Sequence, residues 1–423
     1  MAISDAKWIR EKAIEHTEFF RNSIPLIASE NLISPMTKEM LISDLNNRYA
    51  EGLPGHRYYQ GNRIVDEIET RTEDLVKSLF KSKQADVRPI SGTNANQAIV
   101  FSLSSPGDKI MSPSLDDGAH ISSAEFGAVG MRGLNITHMA FNSEYMKIDV
   151  DETRKLIIKE RPKICLFGFS VFLFPAPIKE LKETMDEVGC KVWYDGAHVL
   201  GLIAGNRFQD PLREGADIIT GSTHKTFPGP QHGIILGNTD DETWKKVRRG
   251  VFPGVISNHH LGAMAGLGIT SAEMIEFGES YADQIIINAK TLAQELHSLG
   301  FDVIAEKNGF TESHTVLVNV KSKGGGKFVA ETLERNNIIL NKNMIPGDSN
   351  KKSQDPSGIR IGTQEVTRIG MGRSEMVQIA NLINEALKGK DVRDDVKDMK
   401  SNFVEVKYCY GREDAYKFIS LFK

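Results

Sequence analysis

The chain has 423 residues, of which 40% are hydrophobic and 26% are charged, and its formal net charge is -4. This length suits two or three domains, and the composition is that of a folded globular protein. A chain without a basic excess is a poor partner for nucleic acid, because phosphate binding requires clustered Lys and Arg. The three cysteines have neither disulfide nor zinc spacing, so we expect no metal.

The N-terminal residues mix acidic and basic side chains and lack the apolar centre of a signal peptide. No uncharged apolar run approaches the ~20 residues of a membrane span. We therefore expect a cytoplasmic protein that makes no membrane contact.

From about residue 60, helical patterns alternate with short apolar runs, which is typical of helices packed on a mostly parallel sheet. Ile64, Ile68, Leu75 and Leu79 fall on one helical face. The apolar run at 163–172 predicts a strand.

The segment 178–189 predicts a helix that ends at Gly189 and buries four residues: Ile178, Leu181, Met185 and Val188. Three strand-like runs follow, at 191–201, 216–225 and 233–237. The first two carry polar residues at their carboxyl ends, where ligands bind in open α/β sheets.

Beyond about residue 280 the pattern changes to a long helix at 281–300 and strands near 303–307 and 315–320. This change predicts a separate, smaller α+β domain. The expected segments are an N-terminal arm at 1–45, a large domain at 46–280 and a small C-terminal domain at 281–423.

Lys225 is the last residue of the second of the three strand-like runs, in the sequence Ser-Thr-His-Lys-Thr. A lysine amine forms Schiff bases with carbonyl compounds when burial and neighbours lower its pKa. A lysine at a strand end is nevertheless usually solvated. The motif alone leaves both interpretations open.

Asp195 ends the strand expected in the preceding run, in the sequence Tyr-Asp-Gly-Ala-His. Pyridoxal phosphate requires a carboxylate at its pyridine nitrogen, because the protonated ring stabilises a carbanion. By itself, an aspartate in this place is as often a helix cap. Asp195 and Lys225 at successive strand ends are, however, the pair that this cofactor requires.

Ser91, Gly92 and Thr93 precede a helical run and have the small and hydroxyl side chains of a helix N-terminus. The backbone N–H groups of such an N-terminus bind phosphate. Because the same residues often only cap helices, this motif gains weight only beside Lys225 and Asp195.

Several long motifs make the chain similar to the serine hydroxymethyltransferase family, and more to its archaeal branch than to its bacterial one. They are LIASENLISP at 26–35, RYAEGLPGHRYYQGN at 48–62, SGTNAN at 91–96, GAH at 118–120, GFS at 168–170, YDGAH at 194–198, GSTHKT at 221–226 and SGIRIGT at 357–363. The resemblance implies an α/β fold of the fold type I, aspartate-aminotransferase-like class of pyridoxal-phosphate enzymes. In this class a large domain with a mixed, mostly parallel sheet is joined to a smaller α+β domain. It also implies a homodimer, or a dimer of dimers, with shared active sites.

The resemblance implies that pyridoxal 5'-phosphate is held covalently, as a Schiff base on Lys225, with Asp195 at its ring nitrogen and His120 over its ring face. Ser170 and His198 would bond its phenolic oxygen. The remaining residues implied in cofactor binding are Ser91, Gly92, Thr93, Ser222 and Tyr49, the last from the partner subunit.

For the substrate, the resemblance implies that Arg360 binds the carboxylate of serine, assisted by Ser29, and that Glu51 carries a proton. His224 would influence substrate choice, and Tyr59 would reach the substrate from the partner subunit. The implied pterin-binding residues are Leu115, Ala119, His120, Ile121 and Asn341. Leu115 and Ile121 fit an alternative interpretation, as ordinary core residues, equally well.

Two features depart from the bacterial pattern. The segment 255–258, Val-Ile-Ser-Asn, replaces a glycine-rich loop, and Gln231 stands in place of an arginine. The archaeal branch shares both, so they bear on the identity of the pterin rather than on the activity. They leave open which backbone groups reach the partner's phosphate.

The sequence thus predicts a transferase that passes the hydroxymethyl carbon of serine to a tetrahydropterin and releases glycine. The acceptor can be tetrahydrofolate or a tetrahydromethanopterin-type carrier. One alternative is a threonine or β-hydroxy amino-acid aldolase, which needs no pterin. Another is a non-catalytic interaction protein that retains the fold, although the presence of Lys225, Asp195 and Arg360 argues against it.

Overall fold

The computed structural model describes residues 2–348, 354–416 and 421. The chain divides into two compact units: Met1–Ala28 with Gln284–Lys407, and Ser29–Asp283 with Tyr408–Lys423. The segment boundaries expected near residues 45 and 280 stay predictions.

The strands in the described ranges are β1 (Ile24–Pro25), β2 (Gly52–Leu53), β3 (His56–Arg57), β4 (Gln84–Asp86), β5 (Lys109–Ser112), β6 (Asn135–His138), β7 (Phe141–Asn142), β8 (Lys147–Ile148), β9 (Ile164–Gly168), β10 (Lys191–Asp195), β11 (Ile218–Ser222), β12 (Gly233–Gly237), β13 (Asp302–Val303), β14 (Thr315–Asn319), β15 (Ile338–Ile339), β16 (Asn341–Asn343) and β17 (Gly358–Gly362).

The α-helices in the same ranges are α1 (Ala2–Arg21), α2 (Pro35–Leu41), α3 (Arg63–Phe80), α4 (Gly92–Leu103), α5 (Ala128–Met131), α6 (Val150–Glu160), α7 (Ile178–Glu187), α8 (Leu200–Ala204), α9 (Pro211–Glu214), α10 (Asp241–Arg249), α11 (Leu261–Ser298), α12 (Gly325–Glu334), α13 (Gln364–Arg368), α14 (Arg373–Leu387) and α15 (Arg393–Ser401). No helix among the described residues is both long enough and apolar enough to cross a bilayer.

The larger unit is built on a seven-stranded sheet in the order β4-β12-β11-β10-β9-β5-β6. The strands β11, β10, β9, β5 and β6 pair in parallel, whereas β12 pairs antiparallel with both β11 and β4. This is the mixed, mostly parallel sheet that the sequence predicted. Parallel strands place their carboxyl ends at one edge, so residues that follow neighbouring strands come together there.

The core of this unit lies between the sheet and the helices that cover it. Trp193, Ile218 and Ile235 on the strands pack with Ile99 of α4 and Val247 of α10, and all are buried. Strands covered on both faces have nearly continuous apolar sequences, which is why β9 to β12 could be recognised in the sequence.

Helix α3 buries a different face from the one suggested by its isoleucines. Of Ile64, Ile68, Leu75 and Leu79, only Leu79 is buried, and Ile64 is 51% exposed. The buried stripe instead includes Glu69, whose carboxylate bonds the side chains of Arg57 and His259. Hydrogen-bonding partners from elsewhere in the chain therefore offset the desolvation of the Glu69 carboxylate.

Other predicted elements differ in their bounds. Helix α7 ends at Glu187, and Val188, its C-cap, is half-buried rather than buried. The strand expected near 303–307 is only Asp302–Val303, because Ala305 adopts a φ of 64° and begins a 3-10 turn.

The smaller unit contains the antiparallel sheet β13-β14-β17-β16 and a separate parallel pair, β1 with β15. Helix α12 packs against this sheet and against α14. Helix α1 buries none of its residues within the chain, and its Trp8 and Ile9 are 60% and 64% exposed.

Candidate active site

Asp195 and Lys225 are buried at the same edge of the large sheet. Strands β10 and β11 are parallel neighbours with Asp195 opposite Thr220, and Lys225 lies three residues beyond the end of β11 at Ser222. The two residues are only 7% and 8% exposed. Lys225 is therefore not a solvated surface lysine.

Asp195 is not a helix cap either. Its Oδ1 accepts a hydrogen bond from the N–H of Ala197 at 3.0 Å, and the following helix, α8, begins only at Leu200. Its other oxygen, Oδ2, accepts a bond of 2.8 Å from Nδ2 of Asn96. The carboxylate is thus oriented by two donors.

The N-terminus of α4 lies against the end of β11. Ser91 is the N-cap, and its Oγ accepts the N–H of Asn94 at 3.1 Å. A Cβ placed on Gly92 would lie 2.1 Å from Oγ of Ser222, so a larger residue here would displace the Ser222 hydroxyl. The first turn of α4, with Thr93, thus presents backbone N–H groups beside Ser222, as an anion site requires.

Asn96 also links Asp195 to the segment that carries His120. Its Nδ2 donates to Oγ of Ser122 at 3.0 Å, and that hydroxyl lies 2.8 Å from Nδ1 of His120. The structure therefore brings His120 and Asp195 into one hydrogen-bonded cluster.

The predicted pterin residues of this unit lie next to the same cluster. Ala119 forms an isolated bridge with Phe169, and the N–H of Ser170 donates to the carbonyl of Gly118 at 2.8 Å. Leu115 is half-buried and Ile121 is 57% exposed, so neither is an ordinary core residue.

The loop of Lys225 is tied to the loop after β10. Thr226 Oγ1 donates to the carbonyl of the buried His198 at 2.7 Å. His224 is half-buried, and burial, reinforced by the charge of Lys225, lowers the pKa of His224 to about 4. His224 is therefore neutral at physiological pH.

A further support of this loop escaped the sequence analysis. Nδ2 of Asn31 donates to the carbonyl of Lys225 at 2.6 Å and to Oη of Tyr281 at 2.9 Å. Neither Asn31 nor Asn96 was singled out, although both lie inside long motifs, at 26–35 and 91–96. Their position inside these motifs could have marked Asn31 and Asn96 as functional residues. The sequence could not show which residues they bond, because those partners lie far away along the chain.

Tyr49, Glu51 and Tyr59 lie on the segment 48–62, which includes the β2–β3 hairpin. The rings of Tyr49 and Tyr59 are 5.2 Å apart and edge-on, and both side chains are nearly half exposed. Oη of Tyr49 lies 3.2 Å from Oγ of Ser257. Glu51 lines an open cavity of about 300 Å³ together with Phe252.

Arg57 holds the backbone on both sides of Glu51. Its Nη1 donates to the carbonyls of Ala50 and Gly52 at 2.7 and 2.9 Å. The guanidinium is itself paired with Asp66, at 2.8 Å. One guanidinium therefore bonds the backbone on both sides of Glu51, a feature that the motif alone did not indicate.

Arg360 lies in the smaller unit, on β17. It is 9% exposed and its Nε donates to Oδ1 of Asn341, the residue opposite it on β16, at 3.1 Å. Burial lowers the pKa of Arg360 to about 10, which leaves the guanidinium protonated at neutral pH. Ser29, the first residue of the larger unit, is half-buried in a turn.

A model of the family described as serine hydroxymethyltransferase matches residues 6–383. The chain belongs to the serine hydroxymethyltransferase family. Among curated relatives, the serine hydroxymethyltransferase of Thermoplasma acidophilum is 64% identical over the full length of both chains. That of Archaeoglobus fulgidus is 52% identical, over 96% of this chain and 93% of its own.

A solved structure, that of L-threonine transaldolase from Pseudomonas fluorescens, resembles this fold with a TM-score of 0.89 and 27% identity. The match covers 99% of this chain and 97% of the transaldolase. The fold is therefore the predicted fold type I of pyridoxal-phosphate enzymes. The family membership makes the chain a pyridoxal-phosphate-dependent transferase acting on serine and glycine, rather than an interaction protein without catalysis.

The residues at the sheet edge fit this cofactor. A buried lysine, a buried carboxylate and a helix N-terminus meet there, and they match its aldehyde, its ring nitrogen and its phosphate. Nδ1 of His224 and Oδ1 of Asn96 are buried without a hydrogen-bond partner in the described part of the chain. Such polar atoms are expected where a bound group completes the site.

Proposed function

We propose that the chain transfers the hydroxymethyl carbon of serine reversibly to a tetrahydropterin, giving glycine, with Lys225 as the residue that holds the cofactor. The observation that carries this proposal is the burial of Lys225 and Asp195 at one sheet edge. When bound, the cofactor supplies an electron-accepting ring that stabilises a carbanion.

In this proposal Asp195 keeps a proton on the ring nitrogen, and its own orientation is maintained by Asn96. The N-terminus of α4, with Ser91, Gly92 and Thr93, binds the phosphate, assisted by Ser222. His120 covers the ring face, while Ser170 and His198 bond the phenolic oxygen. The two donors to Asp195 support its part, because an oriented carboxylate loses little entropy on binding.

Arg360 is proposed to bind the carboxylate of serine through its planar guanidinium, with Ser29 assisting. Glu51 would exchange a proton with the hydroxyl of the transferred group. His224 would act through shape and hydrogen bonding rather than charge, because its low pKa keeps it neutral.

The pterin site is proposed to comprise Leu115, Ala119, His120, Ile121 and Asn341. The exposure of Ile121 and the partial exposure of Leu115 favour this role, since an apolar side chain at a site gains free energy when a flat ligand covers it. We propose further that the protein is a cytoplasmic homodimer in which Tyr49, Glu51 and Tyr59 act at the partner's site.

The decisive experiment measures serine cleavage with tetrahydrofolate, with a tetrahydromethanopterin-type carrier and without any pterin. A rate that rises with one pterin supports the transferase. Equal rates with and without pterin would favour the aldolase alternative. In parallel, borohydride reduction should attach the cofactor to a single peptide containing Lys225, and attachment to another lysine would refute that assignment.

A further inference from the structure

The C-terminal segment lies outside the part of the chain that matches the family model, which ends at residue 383. Its residues 408–416 belong to the larger unit, together with Lys225. Nothing in the proposed reaction uses this segment. A series of contacts nevertheless connects this segment to Lys225, the proposed cofactor lysine.

Tyr408 and Tyr410 pack along one stripe of α11. The ring centroids of Tyr408 and Tyr281 are 5.1 Å apart, and those of Tyr410 and Phe277 are 5.8 Å apart. The N–H of Tyr410 also donates to Oε1 of Glu273 at 3.4 Å. Because Glu273, Phe277 and Tyr281 recur every four residues, they form one helical face, which this segment covers.

Tyr281 connects this face to the loop of Lys225. It is fully buried, and its Oη accepts from Nδ2 of Asn31 at 2.9 Å. The same Nδ2 donates to the carbonyl of Lys225 at 2.6 Å, while Oδ1 of Asn31 accepts the N–H of Leu32 at 2.8 Å. The side-chain amide of Asn31 thus joins Tyr281 to the backbone of Lys225. Each of its two hydrogens has one of these two acceptors.

We infer that Tyr408, Tyr281 and Asn31 are positioning residues that orient Lys225, and that the C-terminal segment is thereby a working part of the active site. The inference rests on the proposed role of Lys225 as the cofactor residue. Packing of Tyr408 fixes the ring of Tyr281, the hydroxyl of Tyr281 fixes the amide of Asn31, and the amide fixes the carbonyl of Lys225.

The test uses the full-length protein and three substitutions. Tyr281→Phe keeps the ring against Tyr408 but removes the acceptor for Asn31. Tyr408→Leu removes the ring that packs on Tyr281, whereas Tyr408→Phe retains it. The control is Tyr145→Phe, the same change at a tyrosine that is 40% exposed in the turn between β7 and β8.

Two readouts separate positioning from general stability. The first is hydrogen–deuterium exchange of the peptide containing Lys225 in the cofactor-free protein, and the second is the rate at which the cofactor dissociates. Tyr281→Phe and Tyr408→Leu should each increase the exchange rate of the Lys225 peptide and the dissociation rate of the cofactor about fivefold to tenfold. This is the effect expected from the loss of one hydrogen bond of about 1 kcal/mol. Tyr408→Phe, which retains the packing ring, should have a smaller effect than Tyr408→Leu, and Tyr145→Phe should match the wild type.

Wild-type exchange and dissociation in Tyr281→Phe would overturn the inference, and that variant is conservative enough to fold if Tyr408→Leu does not. Equal acceleration in every peptide of the protein would also overturn it, because it would indicate loss of stability alone. Borohydride labelling distinguishes failure of this inference from failure of the proposal that Lys225 holds the cofactor. Labelling of another lysine refutes the role of Lys225, whereas labelling of Lys225 with unchanged variants refutes only the positioning role.

Discussion

Asn96 and Asp195 are joined by a hydrogen bond of 2.8 Å from Nδ2 of the amide to Oδ2 of the carboxylate. The bond connects the second turn of α4 to the end of β10, so the helix whose N-terminus is the proposed phosphate site also orients the carboxylate. A displacement of α4 would therefore also change the orientation of Asp195 in the proposed cofactor site.

Asn96→Asp should weaken cofactor binding by at least about tenfold. The substitution preserves shape but replaces the donor with a carboxylate next to Asp195, and two close carboxylates cannot both ionise without a large cost. Titration of the cofactor-free protein with pyridoxal phosphate, followed by absorbance, measures the effect. Asn381→Asp, at an exposed position of α14, is the matched control. Unchanged affinity in Asn96→Asp would show that the contact has no role in binding.

Arg360→Lys should raise KM for serine about tenfold to hundredfold, because an ammonium group cannot reproduce the two-bond grip of a guanidinium on a carboxylate. Steady-state kinetics with varied serine, at saturating pterin, measures this change. Arg393→Lys, at an arginine on the surface of α15 whose side chain is 60% exposed, should leave KM unchanged. A normal KM in Arg360→Lys would place the carboxylate site elsewhere.

Glu73 should make the protein less stable as the pH rises through neutrality. Burial raises the pKa of Glu73 to about 7, since desolvation outweighs the attraction of Arg248, whose Nη2 lies 3.2 Å from its Oε1. Asp86 and Glu69 add repulsion. The folded state therefore holds a proton that the unfolded state releases near pH 4.5, the ordinary pKa of the group.

By linkage, Glu73 makes its full contribution to the free energy of unfolding below pH 4.5, and this contribution is lost as the pH rises through about 7. The contribution is on the order of 3 kcal/mol in total. His224 and His232, whose pKa values are lowered to about 4, act in the opposite sense below pH 6.5. Thermal unfolding of wild type and Glu73→Gln between pH 5 and 8 isolates the carboxyl group. The variant should lose less stability over this range, whereas Glu67→Gln, on the exposed face of α3, should follow the wild type. Parallel curves for wild type and Glu73→Gln would contradict this.

Two inactive variants should restore each other's activity if the active sites are shared. Lys225→Ala and Glu51→Gln chains, unfolded together and reassembled, should form about half mixed dimers, each with one intact site. Recovery of about a quarter of wild-type activity is expected. Different affinity tags on the two chains verify that mixed dimers have formed. If those dimers are inactive, Glu51 acts within its own chain.

The sequence alone was sufficient for the elements whose patterns are local. Strand β12 occupies the predicted 233–237, and β9 and α7 lie within their predicted runs, because a buried strand or an amphipathic helix has its own apolar period. The placement of Asp195 and Lys225 near strand ends was also predictable, since each belongs to the polar part of such a run. The family motifs then assigned chemistry to these positions.

Only the tertiary structure decided which distant side chains meet. The buried face of α3 combines apolar residues such as Val76 with Glu69, whose carboxylate is reached by Arg57 and His259, whereas the spacing of its isoleucines pointed to another face. Asn96 with Asp195, and Asn31 with Lys225, are pairs separated by 99 and 194 residues. Local propensity depends on neighbours within a few residues, but such pairs depend on how helices pack on the sheet. Packing therefore determined the contacts that orient the proposed cofactor residues.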